Sequence, residues 1–161
     1  MPNFKSVRLV PFSADEMFAL VADVEAYPQF LPLCESLLVH ARDQRDDGTT
    51  LITATMGIGY KAIRETFTTN VTIDPAARAI VVRHKNGPFR RLENIWRFVP
   101  RGDNASDVDF AIDYEFSSPV LGLLMGAVFD SAFRKFAEAF ETRAGVVYGQ
   151  RASAIPNTTA T

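Results

Sequence analysis

Cys34 is the residue of this chain most able to do covalent chemistry. It lies in the segment DVEAYPQFLPLCES at residues 23–36 and is the only cysteine of the 161 residues. A thiol becomes a nucleophile when a histidine or a cation stabilises its thiolate, but here no histidine is close in sequence and the neighbours are apolar. The sequence therefore favours packing as a small hydrophobe over catalysis. A lone cysteine without a Cys/His cluster also gives no zinc signature and no internal disulfide.

Two polar residues lie on faces that strand alternation predicts to be apolar. Glu65 shares its face with Phe67, and Asn94 shares its face with Trp96. A buried polar group needs a partner, so each of them either sits at a rim, pairs with an inner arginine or tyrosine, or offers hydrogen bonds to a ligand. An acid–base enzyme would need a second group beside Glu65, and the sequence indicates none.

The remaining motifs carry little chemistry. GIGYKA, at residues 57–62, formally satisfies the dinucleotide pattern GxGxxG/A. That pattern needs a helix opening on it, whereas strand-like sequence follows here, which predicts a glycine-relaxed bend or bulge. His40 and His84 are isolated and predicted to be surface or strand residues. No Walker loop, GxSxG elbow or HExxH motif occurs.

Composition predicts one globular domain. The chain is 47% apolar and 22% charged, with a formal net charge of −2, so no overall field favours DNA or an acidic substrate. Thirteen phenylalanines are many for this length and suggest an aromatic lining. The N-terminus lacks a signal-peptide pattern, and the longest apolar run, at residues 119–129, falls well short of the roughly twenty residues that span a bilayer. A cytoplasmic protein, with or without peripheral contact at the inner membrane, is expected.

Periodicity predicts the order of the elements. After a first strand at about residues 4–10, the capping box SADE at residues 13–16 starts a helix that should end near Val24. Pro28 and Pro32 then allow only a short second helical turn. From about residue 38 to residue 116 the period is two, with turn residues between the runs, which predicts successive antiparallel hairpins.

A long C-terminal helix is predicted from Pro119 to about Val147, near thirty residues. Its first half is apolar on almost every side and so must be covered on several sides. The domain is expected to span residues 1–149, and the small polar residues 150–161 to form a disordered tail. Four phenylalanines at helical spacing make a stripe that should face the sheet: Phe129, Phe133, Phe136 and Phe140.

One local excess of positive charge stands out between residues 83 and 101. A solvated face is the usual explanation, but anionic lipid headgroups or ribosomal RNA would also suit it. The basic residues, with only Glu93 opposing them in that segment, are Arg83, Lys85, Arg90, Arg91, Arg97 and Arg101.

Several blocks together resemble the coenzyme Q-binding protein family, a branch of the START-like, polyketide cyclase-like superfamily that also contains the bacterial ribosome association toxin. The blocks are VPFSADEMFALVADVEAYPQFLPLC, NGPFRRLENIWRF, VDFAIDYEFSSPVLGLLMGAVFD and AFETRAGVVYG, in order over about residues 3–149. The resemblance implies an α+β helix-grip fold, in which a curved antiparallel sheet wraps around a long C-terminal helix, with two short helices after the first strand.

The resemblance also implies a function without catalysis, metal or cofactor. Members bind ubiquinone in an apolar tunnel and act as carriers that support respiratory electron transport or quinone biosynthesis. Trp96 and Tyr114 would be the nearest hydrogen-bond donors to the quinone carbonyls. The implied ligand-binding positions are Pro32 and Leu33 at the entrance, beside Cys34, and Phe67, Leu92, Trp96, Phe98, Phe110, Tyr114, Leu121, Leu124, Val128 and Phe129 in the tunnel.

Two alternatives stay open at this point. A ribosome-binding regulator like the association toxin, which interferes with subunit joining, would use the basic segment to contact the large subunit. A cyclase or other small-molecule enzyme on the same scaffold would need Glu65. The expected partners are thus ubiquinone or a similar hydrophobic molecule, with the membrane surface or the ribosome as further partners, and no DNA.

Overall fold

One antiparallel sheet and a set of helices make up residues 3–150, the part of the chain that the computed structural model describes. Residues 151–161, which hold nearly all of the predicted tail, lie outside the described residues. The strands are β1 (Asn3–Val10), β2 (Cys34–Gln44), β3 (Thr50–Tyr60), β4 (Ile63–Asp74), β5 (Ala79–Asn86), β6 (Phe89–Pro100) and β7 (Ser106–Phe116), in the sheet order β1-β7-β6-β5-β4-β3-β2. Successive hairpins thus build the sheet from β2 to β7, and β1 pairs with β7.

Two short helices follow β1, as predicted: α1 (Ala14–Ala22) and a 3₁₀ helix (Val24–Gln29). The capping box is present, because the Ser13 hydroxyl accepts from the Glu16 N–H at 3.0 Å and the Glu16 carboxylate accepts from the Ser13 N–H at 2.9 Å. Pro28 lies inside the 3₁₀ helix near its end. The helical run stops at Gln29, before the chain enters the sheet.

Strand β2 begins at Cys34, earlier than the predicted residue 38. The sequence period does not show this start, because the strand register shifts between Cys34 and Ser36. Gly57, in β3, pairs opposite this irregularity, and a Cβ there would collide with the Ser36 side chain. The GIGYKA glycines are therefore strand residues that give β2 room to approach. The bulge that the motif predicted lies across from them, in β2.

The C-terminal helical segment comprises α2 (Pro119–Arg134) and α3 (Phe136–Tyr148), so the single long helix expected from periodicity is interrupted at Lys135. Ser118 caps α2, and Pro119 occupies its first turn. Phe133 and Phe136, on either side of the interruption, both pack against the core with their rings 5.3 Å apart. The helix-grip arrangement expected from the resemblance is confirmed.

Phe140 joins the helices to the sheet. Its side chain is 1% exposed, and its ring lies edge-on to three other rings. The centroid distances are 5.3 Å to Tyr27 and 5.0 Å to Phe30, from the 3₁₀ helix region, and 5.1 Å to Trp96 in β6. Such edge-to-face pairs add stability beyond the apolar area that they bury.

Phe140→Ala should lower the free energy of unfolding by about 3 to 5 kcal/mol, because it removes a buried ring and leaves a cavity. Urea unfolding followed by Trp96 fluorescence would measure the loss. The matched variant Val146→Ala, also in α3 but 67% exposed, should stay within about 0.5 kcal/mol of wild type. Equal stability of the two variants would contradict the packing described here.

Candidate functional site

A hollow of about 80 Å³ lies between the inner face of the sheet and the C-terminal helices. Its sheet side is formed by residues of β2 to β7, its helix side by α2 and α3, and one end by the segment Leu31–Leu33. Almost all lining side chains are apolar. Thr69 in β4 and Asn94 in β6 are the polar exceptions apart from the Tyr27 hydroxyl.

Six of the twelve predicted ligand-binding residues line this hollow: Pro32, Leu33, Phe67, Leu92, Trp96 and Phe129. The sheet residues among them follow from strand alternation. That any of the six binds a ligand stays a prediction.

The other six predicted residues lie elsewhere. Phe98 and Phe110 are buried beside Trp96, with centroids 6.2 and 4.6 Å from its ring, but do not reach the hollow. Tyr114 is buried and faces a different groove. On α2, the partly buried residues Leu121 and Val128 and the 61% exposed residue Leu124 do not line the hollow, because the buried face of that helix runs through Met125, Phe129, Ala132 and Phe133.

Several lining residues were missed from the sequence, although strand or helix period would have found them. Thr69 alternates with Phe67 and Val71 on the inner face of β4. Further members of the lining are Val24, Tyr27, Leu31, Leu37, Ala54, Met56, Ile58, Val82, Ile112, Ala132, Phe133, Phe136 and Phe140.

The polar groups in the hollow are mostly satisfied by the protein. The Trp96 indole N–H donates to the Asn94 side-chain oxygen at 2.8 Å, and the Asn94 amide donates to the Ala111 carbonyl at 2.9 Å. The indole N–H is thus already engaged and does not serve as the free donor suggested for a quinone carbonyl. Within residues 3–150, the Thr69 hydroxyl makes no hydrogen bond, so it is the group left to meet a polar atom in the hollow.

The ionisable chemistry at the hollow is sparse. The Tyr27 hydroxyl donates a hydrogen bond to the Val21 carbonyl, and burial raises the pKa of this phenol. Glu65 is half-buried opposite Ile58 and does not line the hollow. None of the described lining residues is a carboxylate or a histidine.

Cys34 packs rather than reacts. The side chain is buried against the core, and its thiol donates to the Ser36 carbonyl at 3.5 Å. Burial raises the pKa of this thiol to about 11, so at neutral pH almost none of it is thiolate. The packing interpretation of Cys34 agrees with this geometry.

The basic segment of β5 and β6 is largely neutralised by acids on neighbouring strands. Arg83 pairs with Glu93 at 2.9 Å, and Arg91 pairs with Asp113 at 2.8 Å. Glu93 is the only acidic residue of the segment itself, but β7 lies beside β6 and presents further acids to these cations. Further pairs join Arg90 to Glu115 and Arg101 to Asp107, while Lys85 and Arg97 make no ion pair within residues 3–150.

Neither histidine lines the hollow, although His84 pairs across strands with the lining residue Thr69. His40 is exposed and bonds the Thr55 hydroxyl at 2.7 Å. His84 is half-buried, with its ring 5.9 Å from that of Phe89, and burial lowers its pKa. The described residues contain no group of three or more His, Cys, Asp or Glu side chains placed to hold a metal ion. No helix among them has the length and apolarity to cross a membrane.

Comparison with known proteins gives a family match and named relatives. Residues 10–141 match the family described as polyketide cyclase / dehydrase and lipid transport. The ribosome association toxin RatA of Escherichia coli K12 is 33% identical over 151 residues, which cover 94% of this chain and 92% of the toxin. The mitochondrial coenzyme Q-binding protein COQ10 homolog B of Xenopus laevis is 28% identical, covering 92% of this chain and 60% of that protein.

A solved structure supports the same placement. The solution structure of the 18 kDa protein CC1736 from Caulobacter crescentus is 36% identical and superimposes with a TM-score of 0.74, covering 93% of this chain and all of that one. The family description includes cyclases and dehydrases beside lipid transport, so membership alone does not separate an enzyme from a binding protein. The chain belongs to the polyketide cyclase / dehydrase and lipid transport family, and its relatives come from both branches that the resemblance indicated.

Proposed function

We propose that this protein binds ubiquinone or a related polyprenyl quinone and carries it to enzymes of respiration or quinone synthesis, at the cytoplasmic surface of the inner membrane. The observation that carries the proposal is the apolar hollow between sheet and helices, whose lining includes the rings of Phe67, Trp96 and Phe129. A relative named as a coenzyme Q-binding protein supports the ligand class. Each five-carbon isoprene unit buried there would contribute roughly 3 to 4 kcal/mol.

The hollow must widen to admit such a ligand. Its volume of about 80 Å³ is below the roughly 150 Å³ of a cavity that admits benzene and below the roughly 300 Å³ of small ligand pockets. We take α2 to be the part that moves, because the outer face of its first half is exposed, with Leu123 87% exposed, and its displacement would break contacts on the inner face alone. Loading would occur where α2 separates from the 3₁₀ helix and the Leu31–Leu33 segment.

Filling the hollow should abolish quinone retention while leaving the fold intact. Ala54 is buried on β3 and lines the hollow, so Ala54→Leu would place methyl groups in the space that the tail needs. We expect at least about a tenfold drop in quinone recovered with the purified protein, since losing one isoprene site costs more than 1.4 kcal/mol. Mass spectrometry of organic extracts measures the recovery.

Ala111→Leu provides the matched control, because Ala111 lies on the outer face of β7, opposite Ile95. This variant should copurify with as much quinone as wild type. If Ala54→Leu also retains its quinone, the ligand does not occupy the hollow and the proposal fails.

An enzymatic function would require a reactive group at the hollow, and Cys34, next in sequence to the lining residue Leu33, is the one thiol of the chain. Because burial raises the pKa of this thiol from 9.0 to about 11, its thiolate fraction near pH 8 should be about a hundredfold below that of a free cysteine. Labelling with a disulfide reagent should therefore be slow in the native protein and fast in urea. Since the chain has one cysteine, the signal is unambiguous, and rapid native labelling would restore the nucleophile hypothesis.

A second candidate function is ribosome association. It is favoured by the 33% identity to a toxin of that name over nearly the whole chain. The surface of β5 and β6 could supply phosphate contacts, but most of its arginines already face carboxylates. The cations left free to contact RNA are Lys85 and Arg97.

For this second function we expect Lys85→Glu with Arg97→Glu to weaken cosedimentation with large ribosomal subunits, and to flatten its salt dependence. Arg90→Glu with Arg91→Glu should have the smaller effect, because acids on β7 already neutralise these arginines. Arg42→Glu is the control, because Arg42 lies on β2, away from the basic segment, in an exposed ion pair with Glu25 of the 3₁₀ helix. Absence of cosedimentation by the wild-type protein would remove this candidate.

A further inference from the structure

A second concavity, here called the corner groove, lies where β7 turns into α2. It has a volume of about 670 Å³ and is open on one side. Its lining combines apolar residues such as Phe116, Gly122 and Gly126 with polar ones that include Arg90 and Asp130. A Cβ on Gly126 would meet nothing within 4 Å, so the glycine leaves this part of the groove empty. The corner groove is thus far larger than the hollow and large enough for a ring with substituents.

Among the polar side chains of the corner groove, the Tyr114 hydroxyl is the one that the protein leaves unpaired. Arg90 pairs with Glu115, and Asp130 accepts from Arg134 at 2.9 Å. The hydroxyls of Ser117 and Ser118 bond backbone groups of Pro88 and Leu121. Tyr114 is only 2% exposed, yet it makes no hydrogen bond within residues 3–150.

The Tyr114 hydroxyl is directed at the groove as a donor. Tyr114 and Asp130 of α2 both line the groove. Burial, together with the negative charge of Asp130, raises the pKa of the phenol, so it keeps its proton at physiological pH. An unpaired phenol at the wall of an open groove can donate to water or to a ligand, and a ligand that displaces the water there must carry an acceptor.

A single layer of aromatic rings separates the corner groove from the hollow. Phe133 lines the hollow, and its centroid is 5.0 Å from that of Tyr114, which lines the groove. Phe129 likewise lines the hollow and lies 5.4 Å from Phe116, which lines the groove. Rotation of one or two of these rings would join the two spaces into one path.

We infer that the corner groove is the subsite for the ring of the ligand, with the Tyr114 hydroxyl donating to a carbonyl oxygen while the isoprenoid tail passes between the rings into the hollow. This inference rests on the proposed function, because it divides one ligand between two spaces. Tyr114, which was predicted to line the tunnel, would instead bind the polar ring of the ligand. The ligand class is a quinoid or aromatic ring that bears hydrogen-bond acceptors and a prenyl chain.

The test compares two probes, a ubiquinone with two isoprene units and a hydrocarbon of the same tail length without the ring. Quenching of the single tryptophan, Trp96, reports quinone binding at the hollow, and competition reports the hydrocarbon. Tyr114→Phe should weaken quinone binding about 3- to 10-fold, the loss of one hydrogen bond, and leave hydrocarbon binding unchanged. Tyr60→Phe, at the end of β3, removes an identical hydroxyl away from the groove and should change neither.

A second variant blocks the groove itself. Gly126→Leu places a side chain in the empty part of the groove and should weaken quinone binding at least about tenfold, again without an effect on the hydrocarbon. Ser131→Leu, on the exposed face of the same helix, is its control.

The outcomes separate the two proposals. Unchanged quinone binding in both Tyr114→Phe and Gly126→Leu, with binding lost in Ala54→Leu, would overturn the ring subsite and leave the carrier function standing. Failure of the wild-type protein to bind either probe would end the carrier function itself, and the ring subsite with it.

Discussion

The fold depends on how aromatic rings from two helices cover the inner face of one curved sheet. Phenylalanines of α2 and α3 meet Trp96, Phe110 and Tyr114 of the sheet at centroid distances near 5 to 6 Å. Aromatic pairs prefer edge-to-face or offset geometries with centroids about 4.5 to 7 Å apart, so the rings hold the helices at set distances from the sheet. The hollow and the ring layer beside the corner groove are both consequences of this one packing solution.

Local signals were enough to predict the order of the elements. The capping box at Ser13 and the period-two runs of β4 and β7 each depend on residues close in sequence, and each is present in the structure. The short second helix is also present, but it spans Val24–Gln29 and includes Pro28, which was expected to be a corner before it. The ion pairs that neutralise the basic segment could not be predicted from residues close in sequence. Arg91 faces Asp113 only because β6 and β7 are neighbours, and a count of charges along one segment omits the adjacent strand.

The lining of the hollow was predicted only in part, because an all-apolar helix does not reveal its rotation. In the first half of α2 nearly every side chain is hydrophobic, so the sequence period does not show which face of the helix is buried. Leu121, Leu124 and Val128 were predicted to face inward, whereas the buried face contains Met125 and Phe129. Strand alternation placed Tyr114 on the inner face, where it lies, but alternation cannot say on which side of a ring layer a hydroxyl emerges. That distinction separates a wall residue from a ligand contact.

For the proposed carrier, a hollow of about 80 Å³ that must widen to take up a prenyl chain is better suited than a permanently open tunnel. If the binding-competent state, with α2 displaced, is only a small fraction of the unliganded protein, the apparent dissociation constant rises by the inverse of that fraction. A tail of several isoprene units supplies enough burial energy to offset this cost. The free energy needed to widen the hollow then opposes a tight, permanent complex. After release, the closed hollow keeps the rings of Phe129, Phe133 and Trp96 away from water. A receiving enzyme then competes only with the apparent affinity of the carrier for its ligand. Delivery requires such a moderate affinity, whereas storage would favour a tight complex.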